Sequence, residues 1–423
     1  MKVDLHPDLR DEPRAEATAD AIAACVHCGF CLATCPTYLD RRDERDSPRG
    51  RIYLVKQFLE TNEHEALTLR HLDRCLTCRS CETTCPSGVM YGNVLDGGRT
   101  LLEPRVRRPL SVRLTRWGLR KLLSRRRLLR LGLGVGRNLQ TLVPRRLREA
   151  LPRRQTLIPL MPSPGKAPSS RARVLLLEGC VQSAATPNTN RALRNVLARL
   201  QIEVVETPRQ GCCGALPAHL GHRDEAQLMA RRNIDAWWPH VQNGVDAILS
   251  GATGCGVQLH EYEQLLAEDD DYAVKARAVT ALVTDAAKFL GREDHLCHLA
   301  ELVPTGKERR RVALHTPCTQ VHGLSHADGA APILDALGYI LVPVRNNHLC
   351  CGSAGTYSLL EENRSRRLRT QKLKDLTVEP ADVIATANVG CQLHLEDDSA
   401  PAVVHWLELA HDALAKNAPE TAP

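Results

Sequence analysis

Eight cysteines near the N-terminus fall into two runs of one spacing. The first is Cys25-Val-His-Cys28-Gly-Phe-Cys31-Leu-Ala-Thr-Cys35-Pro36; the second is Cys75-Leu-Thr-Cys78-Arg-Ser-Cys81-Glu-Thr-Thr-Cys85-Pro86. Both read C-x2-C-x2-C-x3-C-P, a pattern that holds [4Fe–4S] clusters. A cubane has four irons, and each needs one outside thiolate. Three cysteines two residues apart wrap one cube through a tight loop. A zinc ribbon would use two C-x2-C pairs, leave half of these thiolates idle and have no use for the Cys-Pro endings. The doubled pattern points to two [4Fe–4S] clusters and to one-electron transfer.

Eight further cysteines lie in the C-terminal half, and they repeat. Cys180, Cys212, Cys213 and Cys255 are followed by Cys318, Cys350, Cys351 and Cys391 at offsets of 138, 138, 138 and 136 residues, a tandem duplication. Arg173-Val-Leu-Leu-Leu-Glu-Gly-Cys180 and Arg311-Val-Ala-Leu-His-Thr-Pro-Cys318 each read as a buried strand delivering a cysteine at its C-terminal end. Helices are expected at Asn190–Leu200 and Ala330–Leu337, and strands at Ile202–Glu206 and Ile340–Val344, before each Cys-Cys-Gly turn. Further strands at Asp246–Ser250 and Asp382–Thr386 lead to Cys255 and Cys391. Strands alternating with helices imply a small parallel α/β unit in each copy, with the cysteines at strand C-terminal ends, where such sheets place ligands. Cys297 matches nothing and reads as a small buried hydrophobe.

The elements that must position these thiols come from a chain of 423 residues, 43% hydrophobic, with 17 cysteines and a net charge of +7. That is enough apolar residue for several cores and excludes a mainly disordered chain. No apolar run is long enough to span a bilayer, and the acidic, polar start is unlike a signal peptide. A cytoplasmic protein with ligating or redox-active cysteines, not a disulfide framework, is the expectation. Between the two cysteine runs, Ser47 and Pro48 should open a helix with an apolar stripe at Leu54, Val55, Phe58 and Leu59. Its Arg49, Arg51 and Lys56 are either solvated charges or a means of raising a cluster's potential. Residues 99–154 hold 18 Lys or Arg against 2 Glu, which leaves about −9 on the rest of the chain. Leucines and Trp117 alternate there with Arg113, Arg116, Arg120 and Arg125–Arg127, as in amphipathic helices broken near Gly132–Gly136 and at Pro144. Such helices pack their Leu face on a neighbouring domain, or present a basic surface to an acidic subunit or to anionic lipid. No nucleic-acid-binding module accompanies the charge. The expected organisation is a multidomain chain mixing α+β and α/β parts. It comprises a two-cluster ferredoxin-type domain at 1–98, a basic amphipathic helical connector at 99–158 and a linker at 159–170. Cysteine-rich repeats follow at 171–305 and 306–415, then a disordered tail at 416–423.

The two N-terminal runs resemble those of bacterial-type ferredoxins, and the 39 residues between Cys35 and Cys75 are similar to the insertion in the all-helical ferredoxin modules of respiratory dehydrogenases. That resemblance implies crossed ligation: Cys25, Cys28, Cys31 and Cys85 hold cluster 1, and Cys75, Cys78, Cys81 and Cys35 hold cluster 2. The duplicated half resembles the CCG, or cysteine-rich, domain of heterodisulfide reductases. In those proteins the last motif is C-x2-C; here Ala252 and Asn388 stand in the first of its positions. Four of five ligands per copy leave additional clusters and buried reduced thiols both open. The domain order, with Cys-Val-His-Cys-Gly-Phe-Cys, Ser-Pro-Arg-Gly-Arg-Ile and Cys-Pro-Ser-Gly-Val-Met-Tyr-Gly, resembles the iron–sulfur subunits of bacterial glycolate oxidases. That resemblance implies no catalytic residue on this chain and an FAD-linked 2-hydroxy-acid oxidoreductase complex with FAD on partner subunits. It also implies a quinone-type acceptor and a position in the cytoplasm or peripheral on the inner face of the cell membrane. No Gly-rich dinucleotide fingerprint follows a strand here, in keeping with flavin elsewhere. The alternatives are a lactate or glycerol-3-phosphate dehydrogenase subunit, or a thiol–disulfide enzyme acting through the CCG cysteines.

Overall fold

Proline sets where the first helices begin. Its fixed φ and missing N–H suit a first helical turn, and Pro13, Pro36 and Pro48 open α1 (Pro13–Ala23), α2 (Pro36–Arg41) and α3 (Pro48–Thr61). Ser47 caps α3, its Oγ accepting the Gly50 N–H at 3.0 Å. Next come α4 (Ala66–Asp73), α5 (Ser80–Thr83), α6 (Tyr91–Leu102), α7 (Leu110–Leu123) and α8 (Arg126–Asn138). This computed structural model describes residues 1–139, 151–162, 172–303 and 309–415. The helix break expected at Pro144, residues 163–170 of the expected linker and the tail at 416–423 lie outside the described residues.

The chain divides into two units. Unit 1 gathers Met1–Arg120, Leu216–Ala226 and His348–Lys372; unit 2 gathers Lys121–Ala215, Gln227–Asn347 and Leu373–Pro423. Unit 1 is helical, with no strand among its described residues. Its core joins Ile22 of α1, Ile52, Val55, Phe58 and Leu59 of α3, Leu69 and Leu72 of α4, and Val94 and Leu95 of α6. The stripe expected on α3 is this buried face, apart from half-buried Leu54. Gly50 has a specific reason: a Cβ there would collide with the backbone carbonyl of Glu44. Gly50→Ala should therefore overpack the start of α3 and cost about 1–3 kcal/mol, read as a lower melting temperature; an unchanged value would show that the turn before Ser47 yields.

Unit 2 carries both α/β repeats. β1 (Ala172–Leu177), β2 (Ile202–Val205), β3 (Ala247–Ser250) and β4 (Val283–Asp285) form a parallel sheet of order β2-β1-β3-β4. β5 (Arg311–His315), β6 (Ile340–Val342), β7 (Val383–Thr386) and β8 (Val403–His405) form a second sheet of order β6-β5-β7-β8, also parallel. Runs such as Val174–Leu177 are apolar throughout because helices cover both faces of such sheets. The edge strands β4 and β8 escape sequence reading: each is three residues long and, unlike the equally short β6, leads to no Cys-Cys-Gly turn. Helices Pro187–Arg199 and Trp406–Ala415 pack together, so the two repeats share one core.

The basic segment corrects its expected orientation. On α7, Arg116 and Arg120 turn toward acidic residues of unit 1, whereas Leu110, Leu114 and Trp117 are exposed. On α8, Leu129 and Leu133 are buried against Ala184 and Ala185, but Leu128, Leu131 and Val135 are not. Neither helix simply buries its leucines and exposes its arginines. Cys297, expected to be buried, is exposed on helix Glu293–Glu301.

Candidate metal centres

Both N-terminal runs fold into the same loop. In the first, His27 and Gly29 take left-handed backbone conformations (φ 59° and 85°); in the second, Thr77 and Arg79 do so at the same offsets (53° and 59°). A β-branched residue such as Thr77 adopts that region only where the surroundings impose it. These reversals let the three spaced cysteines curl around a common centre. Cys25, Cys28 and Cys31 line a pocket with Cys81 and Cys85 of the second run, walled by Ile52 and Val89. Cys28 is exposed, while Cys25, Cys35 and Cys81 are buried. Burial pushes the Cys31 thiol up to about 11, with Cys35 and Cys25 adding to the rise. Burial also raises Cys81, with Cys78, Cys75 and Cys35 as its thiol neighbours. Cys35 thus lies near thiols of both runs, Cys31 and Cys81, and both Cys81 and Cys85 of the second run share the pocket of the first. A buried group of thiols with raised pKa becomes a set of thiolates only against a strongly Lewis-acidic partner, which fits this donor set to iron. The two runs differ at their ends: Cys35 leads into α2, but Cys85 is followed by a turn and the next helix starts at Tyr91.

Around Cys35 and Cys75 the structure assembles buried charge. Arg51 is 1% exposed; its Nε donates to the His71 carbonyl at 2.7 Å and its Nη2 to Thr37 Oγ1 at 3.2 Å. Thr37 Oγ1 in turn lies 3.3 Å from Cys35 Sγ and donates to the Asp46 carbonyl at 2.8 Å. The fully buried Asp46 carboxylate receives His71 Nδ1 at 2.7 Å, and lies 2.9 Å from Arg364 Nη2 and 3.6 Å from Arg51 Nη2. Burial alone would raise the Asp46 pKa, but the His71 hydrogen bond and the charges of Arg51 and Arg364 hold it low. A second buried arginine, Arg99, donates to the carbonyls of Leu72 and Cys75 at 2.8 and 3.1 Å, and Tyr91 Oη lies 3.7 Å from Cys75 Sγ. Of the three basic residues singled out on α3, Arg49 pairs with Glu44 at 2.6 Å and Lys56 with Glu60. Only Arg51 turns into this network. Sequence reading missed Thr37, Asp46, His71 and Arg364; nothing local in the chain signals that residue 364 returns to residue 46.

In unit 2 the first cysteine-rich repeat draws four thiols together. Cys180 and Cys212 Sγ atoms are 3.3 Å apart, and Cys213 is hydrogen-bonded to Cys212 and Cys255. The Cys-Cys turn is pinned from below: Asn233 Oδ1 accepts the Gly211 N–H at 2.7 Å and its Nδ2 donates to the Cys212 carbonyl at 3.0 Å, while Tyr262 Oη donates to the Cys213 carbonyl at 2.9 Å. In the second repeat Cys318 precedes the helical turn Thr319–Gly323 and Cys391 lies on helix Val389–Leu395, both in unit 2; Cys350 and Cys351 belong to the His348–Lys372 segment of unit 1. All four are buried. The glycine of each Cys-Cys-Gly has φ near 92° (Gly214 93°, Gly352 92°), and a Cβ at Gly352 would strike Leu368 and the Ser365 carbonyl. The two positions lacking cysteine are used otherwise. Ala252 sits at the N-cap of helix Thr253–His260. Asn388 caps its own helix through the Gly390 N–H at 2.8 Å and donates to Thr253 Oγ1 at 3.0 Å.

Paired ferredoxin-like loops on a helical unit, with duplicated cysteine-rich α/β repeats, define an iron–sulfur electron-transfer protein. Residues 21–89 match the 4Fe-4S dicluster domain family, and residues 174–260 and 312–396 match the cysteine-rich domain family. The chain is 45% identical to the glycolate oxidase iron-sulfur subunit of Escherichia coli K12 over 98% of this chain and all of that protein. It is 30% identical to the probable glycolate oxidase iron-sulfur subunit of Bacillus subtilis 168 over 92% of this chain and 91% of that one. Lactate utilization protein A of an Exiguobacterium strain is 24% identical over 52% of this chain and 88% of its own length. This chain belongs to the glycolate oxidase iron–sulfur subunit family.

Proposed function

We propose that the chain is the electron-transfer subunit of a complex that oxidises glycolate to glyoxylate, with FAD on partner subunits and a quinone-type acceptor. The observation that carries the reading is the convergence in unit 1 of two cysteine loops that reverse at the same offsets, in a chain collinear with a glycolate oxidase subunit. Cys25, Cys28, Cys31 and Cys85 would hold one [4Fe–4S] cluster, and Cys75, Cys78, Cys81 and Cys35 the other. Such clusters take one electron at a time, so the two-electron step at the hydroxy acid belongs to a flavin. The chain's own part is to bury the thiols, to surround Cys35 and Cys75 with Arg51 and Arg99, and to leave Cys28 at the surface. The convergent Cys180, Cys212, Cys213 and Cys255 suit a further metal or redox centre, and the duplication repeats these positions in sequence as Cys318, Cys350, Cys351 and Cys391.

The test is made on the complex purified without oxygen. The ferredoxin loops alone require about eight irons per chain. Glycolate should reduce the clusters, as read by electron paramagnetic resonance, faster than lactate or glycerol 3-phosphate does. Iron near twelve or sixteen would assign clusters to the cysteine-rich repeats as well. About four would sink the two-cluster assignment, and preferential reduction by lactate or glycerol 3-phosphate would transfer the chain to that dehydrogenase.

A further inference from the structure

In α7 the arginines face inward and the leucines outward. Arg116 is buried, its guanidinium 3.3 Å from Asp73 and 3.5 Å from Glu103, and its Nη2 also donates to the Leu220 carbonyl. One turn on, Arg120 meets Glu225 at 3.0 Å. These pairs are desolvated, and separating them would strand buried charge. They fix the rotation of the helix about its axis, so its opposite face cannot turn in to hide. That face carries Leu110, Leu114 and Trp117, spaced i, i+4 and i+7, at 71, 67 and 56% exposure. Leu110 is preceded by exposed Arg107, and Arg113 lies exposed along the flank. In unit 2, α8 independently repeats the pattern. Leu129 and Leu133 are buried, whereas Leu128, Leu131 and Val135 form an outward stripe beside exposed Arg125, Arg127 and Arg130.

We infer that α7 is an interfacial helix that seats its unit on an anionic bilayer, with the Leu–Trp stripe in the acyl boundary and the flanking arginines at headgroup phosphates, and that α8 can do the same for its own unit. Charge selects that occupant. The exposed arginines that flank the two stripes, Arg107 and Arg113 on one and Arg125, Arg127 and Arg130 on the other, complement an anionic leaflet as they would not complement a neutral apolar cleft. A helix with Leu and Trp on one face and Arg beside them lies in the plane of the interface, where an indole finds both apolar and wet surroundings. No helix among the described residues is long and apolar enough to cross a membrane, so this is a surface contact. It rests on the two helices alone and stands or falls independently of the electron donor.

Trp117 reports on it directly. Of the four tryptophans, Trp237 and Trp406 are buried, Trp238 is half-buried and Trp117 alone is exposed. The full-length, cluster-loaded chain is mixed with vesicles of phosphatidylglycerol and phosphatidylethanolamine, and separately with phosphatidylcholine vesicles. Binding to the anionic vesicles should blue-shift the tryptophan emission and weaken as salt rises to about 0.5 M, where the Debye length is roughly 4 Å. The change Leu110→Ser with Leu114→Ser, at exposed positions, should reduce binding at least about tenfold with iron content and melting temperature unchanged. Arg107→Gln with Arg113→Gln should reduce binding to anionic vesicles only. The inference is overturned if the wild-type chain leaves anionic vesicles unbound, or if the double leucine variant binds equally well. It is also overturned if Trp117 is already shielded from acrylamide in the lipid-free complex, because a partner subunit then covers the stripe.

Discussion

Cys35→Ser is expected to abolish the paramagnetic signal of the cluster whose other ligands are Cys75, Cys78 and Cys81, and to spare the one held by Cys25, Cys28 and Cys31. Iron should fall from about eight per chain to about four. Cys85→Ser should do the reverse. The expectation rests on the resemblance to two-cluster ferredoxins, in which three cysteines of a run serve one cluster and the fourth serves the other. The two runs are close enough for it: Cys35 raises the pKa of Cys81 as well as of Cys31, and Cys85, with Cys81, lines the pocket of Cys25, Cys28 and Cys31. A cubane lacking one thiolate has an iron open to solvent or exchange, and serine oxygen is a poor replacement. If each substitution instead extinguishes the cluster of its own run, ligation is not crossed.

Arg51→Met is expected to lower the midpoint potential of the cluster held by Cys35 and Cys75 by on the order of 100 mV. A unit charge roughly 7 Å from the cluster, at an effective dielectric of about 20, contributes about 2 kcal/mol, and one electron moved through 100 mV is worth about 2.3 kcal/mol. The buried guanidinium favours the reduced, more negative cluster, so its removal favours the oxidised one. The same change should also cost about 3 kcal/mol of stability, because Asp46 loses one of its cationic neighbours while keeping His71 and Arg364. Arg51→Lys, which keeps the charge but not the fork, should restore most of the potential and less of the stability. Arg49→Gln is the control, since Arg49 is already paired with Glu44. A redox titration showing the Arg51→Met potential unchanged, in protein that still holds both clusters, would exclude this role for Arg51.

Arg51 also shows how far sequence reading reached. The Ser-Pro-Arg-Gly-Arg phrase identified a helix start, and the cap formed as the residue types require. It could not say that Arg51 turns in beside Cys35 while Arg49 lines the pocket of Cys25, Cys28 and Cys31, because that depends on how α3 rolls against α4 and α6. The basic segment was harder still. Its leucine periodicity is real, but periodicity reports that a helix has two faces and not which of them is covered. Asp73, Glu103 and Glu225 decided that by taking Arg116 and Arg120 inward. Cys297 was misplaced for a related reason: cysteine is usually buried, and only the packing of its helix reveals that this one is not. The edge strands β4 and β8 are short and lead to no Cys-Cys-Gly turn that would mark them.

By itself the sequence determined the chemistry, because cubane ligation depends on thiols at fixed short spacings, and a C-x2-C-x2-C loop is a local object. It also determined the duplication and the first three strands of each repeat, since matched offsets and unbroken apolar runs survive without knowledge of their neighbours. Tertiary structure alone decided what lies beyond a few residues' reach: the return of Arg364 to Asp46 across the chain, the burial of Arg51 beside Cys35, the outward turn of Leu114 and Trp117. Each of these is settled by which surfaces exclude water together, and the free energy of burying a charge or exposing a leucine belongs to the pair of surfaces that meet, not to either segment alone.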